Sequence, residues 1–135
     1  MADRDLVLFA NEAFYTAFAD RDAVAMDELW AANLPVACIH PGWEPITGRT
    51  EVMASWFAIL RDPASPTIRF HDPRAFLFGA TAFVICREEI EGQHVVSTNI
   101  FQREDGRWRI VHHHAGPIAA RLDLLREDDE IGVVH

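Results

Sequence analysis

Positive charge is scarce in this chain. Twelve basic residues stand against twenty-one acidic ones, a formal net charge of −9. A surface so short of cations is poorly suited to a phosphate backbone, which argues against nucleic acid and anionic membranes as partners. Cysteine is scarcer still. Cys38 and Cys86 are the whole complement, and both lie in apolar, strand-like runs, so they read as reduced core thiols rather than a disulfide. No apolar run approaches the length of a membrane span. Met1-Ala2-Asp3-Arg4-Asp5 is polar and acidic and does not read as a secretory leader, so the expected location is cytoplasmic. There is no Gly-x-Ser-x-Gly elbow, no glycine-rich phosphate loop, and no Cys-x-x-Cys or His-x-x-x-His pair. His112-His113-His114 invites a metal reading, but strand alternation turns His113 away from its neighbours. At most His112 and His114 converge, with His40 needed to complete a triad. No metal and no cofactor is expected.

What remains is an ordinary globular composition, half hydrophobic over 135 residues, enough for one domain with a real core. The reading is a single domain over 1–135, with its core at about 5–117 and a tail at 118–135. The first third reads as helix. Leu6, Phe9, Ala10, Ala13, Phe14, Ala17 and Phe18 recur at helical spacing, with Asp3 or Asp5 as cap. Asp22 starts a shorter helix through Ala23, Met26, Leu29 and Trp30, ended by Asn33 and Pro35. Residues 35–40 read as a short buried strand, Pro41-Gly42-Trp43 as a loop, and Thr47 or Gly48 as the start of a third helix that stops at Asp62-Pro63. Four strands follow, over residues 67–77, 81–90, 94–103 and 107–115, the first with a candidate interruption at Asp72-Pro73. Residues 121–130 suggest a short surface helix or a loose tail.

Asp105-Gly106 is the strongest local signal, since an Asp-Gly pair between strand-like runs favours a two-residue type I′ hairpin. Counting outward from that turn sets Phe101 opposite Ile110, Asn99 opposite His112 and Ser97 opposite His114. Opposed residues share a face. One face then carries Trp108, Ile110, His112 and His114 with Phe101, Asn99 and Ser97. The other carries Arg109, Val111 and His113 with Ile100 and Thr98. The first face is apolar at one end and polar at the other, the make-up of a small-molecule pocket if the sheet curls over the helices. The second is also rather apolar, which suggests a homodimer through Thr98, Ile100 and Val111. Both assignments depend on register, because a slip of one residue exchanges the faces. Of the four tryptophans, Trp30, Trp56 and Trp108 lie in periodic segments, and Trp43 lies in a loop at the expected pocket mouth.

Phe14 to Asp22 (FYTAFADRD), Ile39 to Trp43 (IHPGW), Ile46 to Arg49 (ITGR) and Ser97 to His114 (STNIFQREDGRWRIVHHH) together resemble the nuclear-transport-factor-2-like superfamily, and within it the SnoaL-like group. The resemblance covers about residues 5–117. It implies an α+β fold, a cone-shaped curved antiparallel sheet wrapped around N-terminal helices. The superfamily holds ketosteroid isomerases, dehydratases, polyketide cyclases and non-catalytic association domains, so fold alone selects no reaction. Where ketosteroid isomerases carry their catalytic aspartate, this chain has His40, just before Pro41. Their helical tyrosine falls on Phe14, beside the sole tyrosine, Tyr15, and their acidic donor falls near Thr98 or Asn99. The steroid-isomerase acids are therefore missing.

Three functions stay open. The first is a metal-free enzyme moving a proton on a carbonyl or polyketide-like compound, with His40 as base and with Asn99 and His112 as donors to an oxyanion. Phe14, Trp30, Trp43, Trp56, Ser97, Phe101 and His114 would line its pocket. The second is a binding module using the same pocket without chemistry. The third is an association domain built on the outer sheet face.

Overall fold

The structure is a computed structural model that describes residues 1–118; the reading of residues 121–130 lies outside them. Helix α1 spans Asp3–Ala19 and α2 spans Ala23–Leu29. Strands β1 (Ala37–Ile39) and β2 (Ile46–Thr47) precede α3 (Arg49–Arg61). Strands β3 (Ile68–Phe78), β4 (Thr81–Ile90), β5 (Gln93–Glu104) and β6 (Arg107–Pro117) follow. The six strands form one sheet in the order β2-β1-β6-β5-β4-β3. All neighbours are antiparallel except β1 and β6, which pair in parallel and set Cys38 beside His113. The helices pack against the inner face, and the core lies between.

The buried face of α1 is turned from the expected stripe. Val7, Asn11, Phe14, Tyr15, Ala17 and Phe18 are buried, whereas Leu6 and Phe9 are 40% and 55% exposed. Asn11 and Tyr15 carry polar groups into that face, so apolar periodicity alone misplaces it. The expected cap is also absent. Ala2 holds the cap position without a side-chain bond, and Asp3 and Asp5 sit in the first turn, where they favour the helix dipole. Asp22 does cap α2, accepting from Ala25 N at 3.0 Å. Helix α3 begins after Gly48, whose φ of 87° is open to glycine and strained for other residues. Arg49 then donates to the Trp30 and Ala31 carbonyls and pairs with Asp27 at 2.9 Å, tying α3 to the end of α2.

Asp105 and Gly106 have φ of 52° and 77°, as a type I′ turn requires. Glu104 faces Arg107 and Phe101 faces Ile110, but between Ile100 and Phe101 the ladder shifts. A β-bulge at Val111 sets Ile100 opposite His112, Asn99 opposite His113 and Ser97 opposite Ala115. Beyond the bulge the faces exchange. Trp108, Ile110, His113 and Ala115 point inward and are buried, while His112 is half-buried and His114 exposed. The expectation that His112 and His114 face the pocket is corrected accordingly: the bulge puts His113 there. Strand β3 continues through Asp72-Pro73 with a second bulge between His71 and Arg74.

Candidate active site

The curl of the sheet over α1 and α3 leaves a cavity of about 490 Å³. Aromatic walls come from Phe14 and Phe18 on α1, Trp56 on α3 and Trp43 in the loop after β1. Ile68 and Ile90 close the side away from the histidines. Polar groups reach it as His40, His113, Glu88 and, at the rim, Asp62 and Ser65. Arg21 holds the rim from outside, donating to the Asp62 and Ser65 carbonyls at 3.0 and 2.6 Å.

His40 follows β1 and is only 3% exposed. Trp43 and Trp56 pack edge-on against its ring, with centroids 4.8 and 4.6 Å away. Its Nε2 lies 2.9 Å from Ser55 Oγ. That hydroxyl spends its proton on the Val52 carbonyl at 2.7 Å, so its oxygen accepts from His40 Nε2–H. The tautomer is thereby fixed, and Nδ1 keeps its lone pair, with the Cys38 thiol 3.8 Å away as its only protein neighbour of that kind among the described residues. Burial lowers the His40 pKa to about 4, so the ring is neutral at pH 7.

His113 reaches the cavity from β6, its ring 6.4 Å from that of His40. Its Nδ1 lies 2.6 Å from Asn99 Oδ1, and Asn99 Nδ2 donates to Asn11 Oδ1 at 2.8 Å. With the Asn99 oxygen turned to it, His113 carries its proton on Nδ1 and leaves Nε2 free to accept. Burial, reinforced by the neighbouring histidines, lowers its pKa to about 3. The arrangement is two neutral imidazoles, each anchored through one nitrogen and basic at the other.

A second buried cluster lies beside them. Tyr15 hydroxyl donates to Glu88 Oε2 at 2.5 Å and lies 2.8 Å from Ser97 Oγ and 3.1 Å from Cys86 Sγ. Burial raises the Glu88 pKa, and the Tyr15 and Ser97 hydrogen bonds oppose that rise. Tyr15 is pushed up as well, by burial and then by Glu88.

Of the residues expected at the pocket, His40, Phe14, Trp43 and Trp56 line it. Asn99 stands behind His113, its amide engaged on both sides. Ser97 and Phe101 point inward but are fully buried in the core, and Trp30 is fully buried behind Trp56. His112 bonds the Ala37 carbonyl through Nδ1 at 3.0 Å, outside the cavity, and His114 is on the outer face. Sequence reasoning missed His113, Glu88 and Tyr15. Strand parity could have found Glu88, which alternates with the buried Ala82, Val84 and Cys86 along β4.

These groups set the acid response. A histidine held below its ordinary pKa binds no proton in the native state where the unfolded chain does, so His40 and His113 lose stability as pH falls from about 6.5 toward 4. Glu88, raised in the native state, acts in the opposite sense and loses stability as pH rises above its ordinary value. The expected outcome is a urea midpoint that declines below pH 6.5, and a steeper decline in Glu88→Gln. Equal slopes in the two proteins would show that Glu88 does not titrate as its burial requires.

Comparison with known proteins agrees with this fold. Residues 7–120 match the SnoaL-like domain. A structure from Streptomyces avermitilis, provisionally assigned as a dehydratase of the nuclear-transport-factor-2-like family, is 33% identical. It superposes with a TM-score of 0.82 over 87% of this chain and 97% of that one. A provisionally assigned calcium/calmodulin-dependent protein kinase type II association domain from Thiobacillus denitrificans is 30% identical, with a TM-score of 0.72 over 81% and 92%. The F-box protein SKIP8 of Arabidopsis thaliana is 30% identical over 131 residues, which is 96% of this chain but 54% of that protein, so the chain spans about half of its relative. The extent of the domain match and the shared α+β architecture show that this chain belongs to the SnoaL-like domain family.

Proposed function

We propose that the cavity binds a small, mostly apolar carbonyl or polyketide-like compound and moves a proton on it. The observation that carries this reading is the pair of buried neutral histidines in one cavity, each with its unprotonated nitrogen defined by the partner of the other. His40 Nδ1 takes a proton from the carbon beside the carbonyl. The C–H electron pair forms the new double bond, and the imidazolium returns the proton to a second carbon or to a departing hydroxyl, which leaves as water. His113 Nε2 accepts from a substrate hydroxyl and holds the molecule in place. Asn99 acts through His113 as a positioning residue. The dehydratase assignment of the 33% identical structure favours the water-losing version.

Deuterium exchange tests the proposal. A probe ketone such as tetralone, incubated with the protein in heavy water, should exchange its α-protons far faster than in buffer. Exchange at the buffer rate would leave a binding module without chemistry.

An association role is the second reading, favoured by the outer sheet face. Phe76, Phe78, Ile85 and Val96 are each 38–60% exposed there, beside Thr98 and Ile100. Val111 instead packs partly against the core at its bulge. The kinase association domain relative points the same way. A homodimer through this face buries it, and light scattering at tens of micromolar should give twice the chain mass. Phe78→Glu should give the monomer mass, and an unchanged dimer in that variant would place the interface elsewhere. We place the protein in the cytoplasm, on the strength of its two unpaired, buried thiols. No helix among the described residues is long and apolar enough to cross a membrane.

A further inference from the structure

Glu88 is the one buried carboxyl group among the described residues. It is 2% exposed, it lines the cavity, and it has no ion-pair partner there. Tyr15 donates to Oε2 and Ser97 also bonds the carboxyl group, but both partners are neutral hydroxyls. A carboxyl group taken out of water without a counter-ion is costly, and such groups are normally paired. No arginine lines the cavity, and the chain contains no lysine at all, so nothing in these walls can supply the positive charge.

The other polar groups of the cavity have the same bias. His40 Nδ1 and His113 Nε2 are both lone-pair acceptors, because Ser55 and Asn99 occupy the protonated nitrogens. Asp62 stands at the rim. Phe14, Phe18, Trp43 and Trp56 line it, and an aromatic ring attracts a cation seated over its face. The walls therefore offer hydrogen-bond acceptors, a carboxyl group and aromatic rings, and no cation.

We propose that the cavity selects a ligand bearing a protonated amine on an apolar body, with Glu88 as the counter-ion the ligand meets. This goes beyond the proton-transfer reading by naming the ligand's charge, and it rests on that reading only in taking the cavity as the ligand site. Glu88 is thus a specificity-determining residue. Burial raises its pKa, and an ammonium beside it favours the ionised form. Affinity therefore rises with pH as Glu88 ionises more readily, until the amine itself loses its charge. A ligand that needed Glu88 as a proton donor would show the opposite slope. The groups facing Glu88 are Tyr15 from α1, Cys86 from its own strand and Ser97 from β5, with His40 and His113 in the same cavity. Tyr15 and Cys86 stay protonated through this range, since burial raises both, and both histidines stay neutral above about pH 5.

Three probes of one shape separate charge from fit: naphthylethylamine, naphthylethanol and naphthylacetate, titrated by calorimetry at pH 7. The amine should bind about tenfold tighter than the alcohol, as expected for a charge-assisted contact in a partly buried site, and the acetate weakest. In Glu88→Gln the amine should fall to the level of the alcohol, while the alcohol keeps its affinity within about threefold. With wild-type protein, the preference for the amine over the alcohol should weaken as pH falls and Glu88 takes up its proton, a readout that does not depend on how the variant folds. Equal affinity for amine and alcohol, an amine preference that survives Glu88→Gln, a preference that does not weaken in acid, or no binding by any probe would each overturn the proposal. None of these outcomes depends on deuterium exchange into a ketone, so loss of the catalytic reading and loss of the charge selection are told apart.

Discussion

His40→Ala should abolish α-proton exchange into a bound ketone, lowering the rate by roughly a hundredfold or more, the usual contribution of a positioned base. Ligand affinity should change little, because the imidazole is a small part of a wall made mostly by Trp56, Trp43 and Phe14. The fold should also tolerate the change. Ser55 keeps its bond to the Val52 carbonyl, so no buried donor is orphaned. The pH profile carries its own signature. A base works only when neutral, and burial holds His40 at about 4, so kcat/KM should stay flat from pH 8 to 6 and fall as pH approaches 4. Turnover that survives His40→Ala while the melting temperature drops would assign the residue to structure alone.

The largest loss of stability is expected at Trp30→Ala, about 3–5 kcal/mol. Trp30 is fully buried and packs 6.5 Å from Trp56, centroid to centroid. Its backbone bridges to Ile110 on β6, and its carbonyl accepts from Arg49. The side chain therefore fills the place where α2, α3 and β6 meet. Its indole Nε1 has no hydrogen-bond partner among the described residues, so the loss is one of packing, and Trp30→Phe should recover much of it. Because whole domains are stable by only about 5–15 kcal/mol, the alanine variant should unfold at a much lower urea concentration. A shift of under about 1 kcal/mol would mean that the surrounding side chains collapse into the space.

Much of the fold is legible from local signals. The Asp105-Gly106 turn, the cap at Asp22, the stop at Asp62-Pro63 and the strand over 81–90 all rest on residues whose backbone preferences few contacts can override. The site is less legible, for two physical reasons. Three adjacent histidines give no contrast between one face and the other, so nothing in residues 111–114 announces the bulge that moves His113 inward. Glu88 and Tyr15 carry polar atoms that normally mark exposed positions. Their pairing with each other, across a separation of 73 residues, and with Ser97 and Cys86 makes their burial tolerable.

The bulge at Val111 has a bearing on how the strand tolerates error. Should the β5–β6 ladder zip up one residue early or late, the side chain turned toward the cavity beside Asn99 would be His112 or His114 in place of His113. In most strands such a slip exchanges a functional group for an unrelated one. Here every neighbouring register delivers an imidazole to the same place, so the triplet acts as a spare set. A chain that pairs wrongly, or a descendant that gains or loses the bulged residue, still has a histidine to present. That redundancy protects against displacement along the strand, and it gives no protection against replacing the one histidine that faces inward.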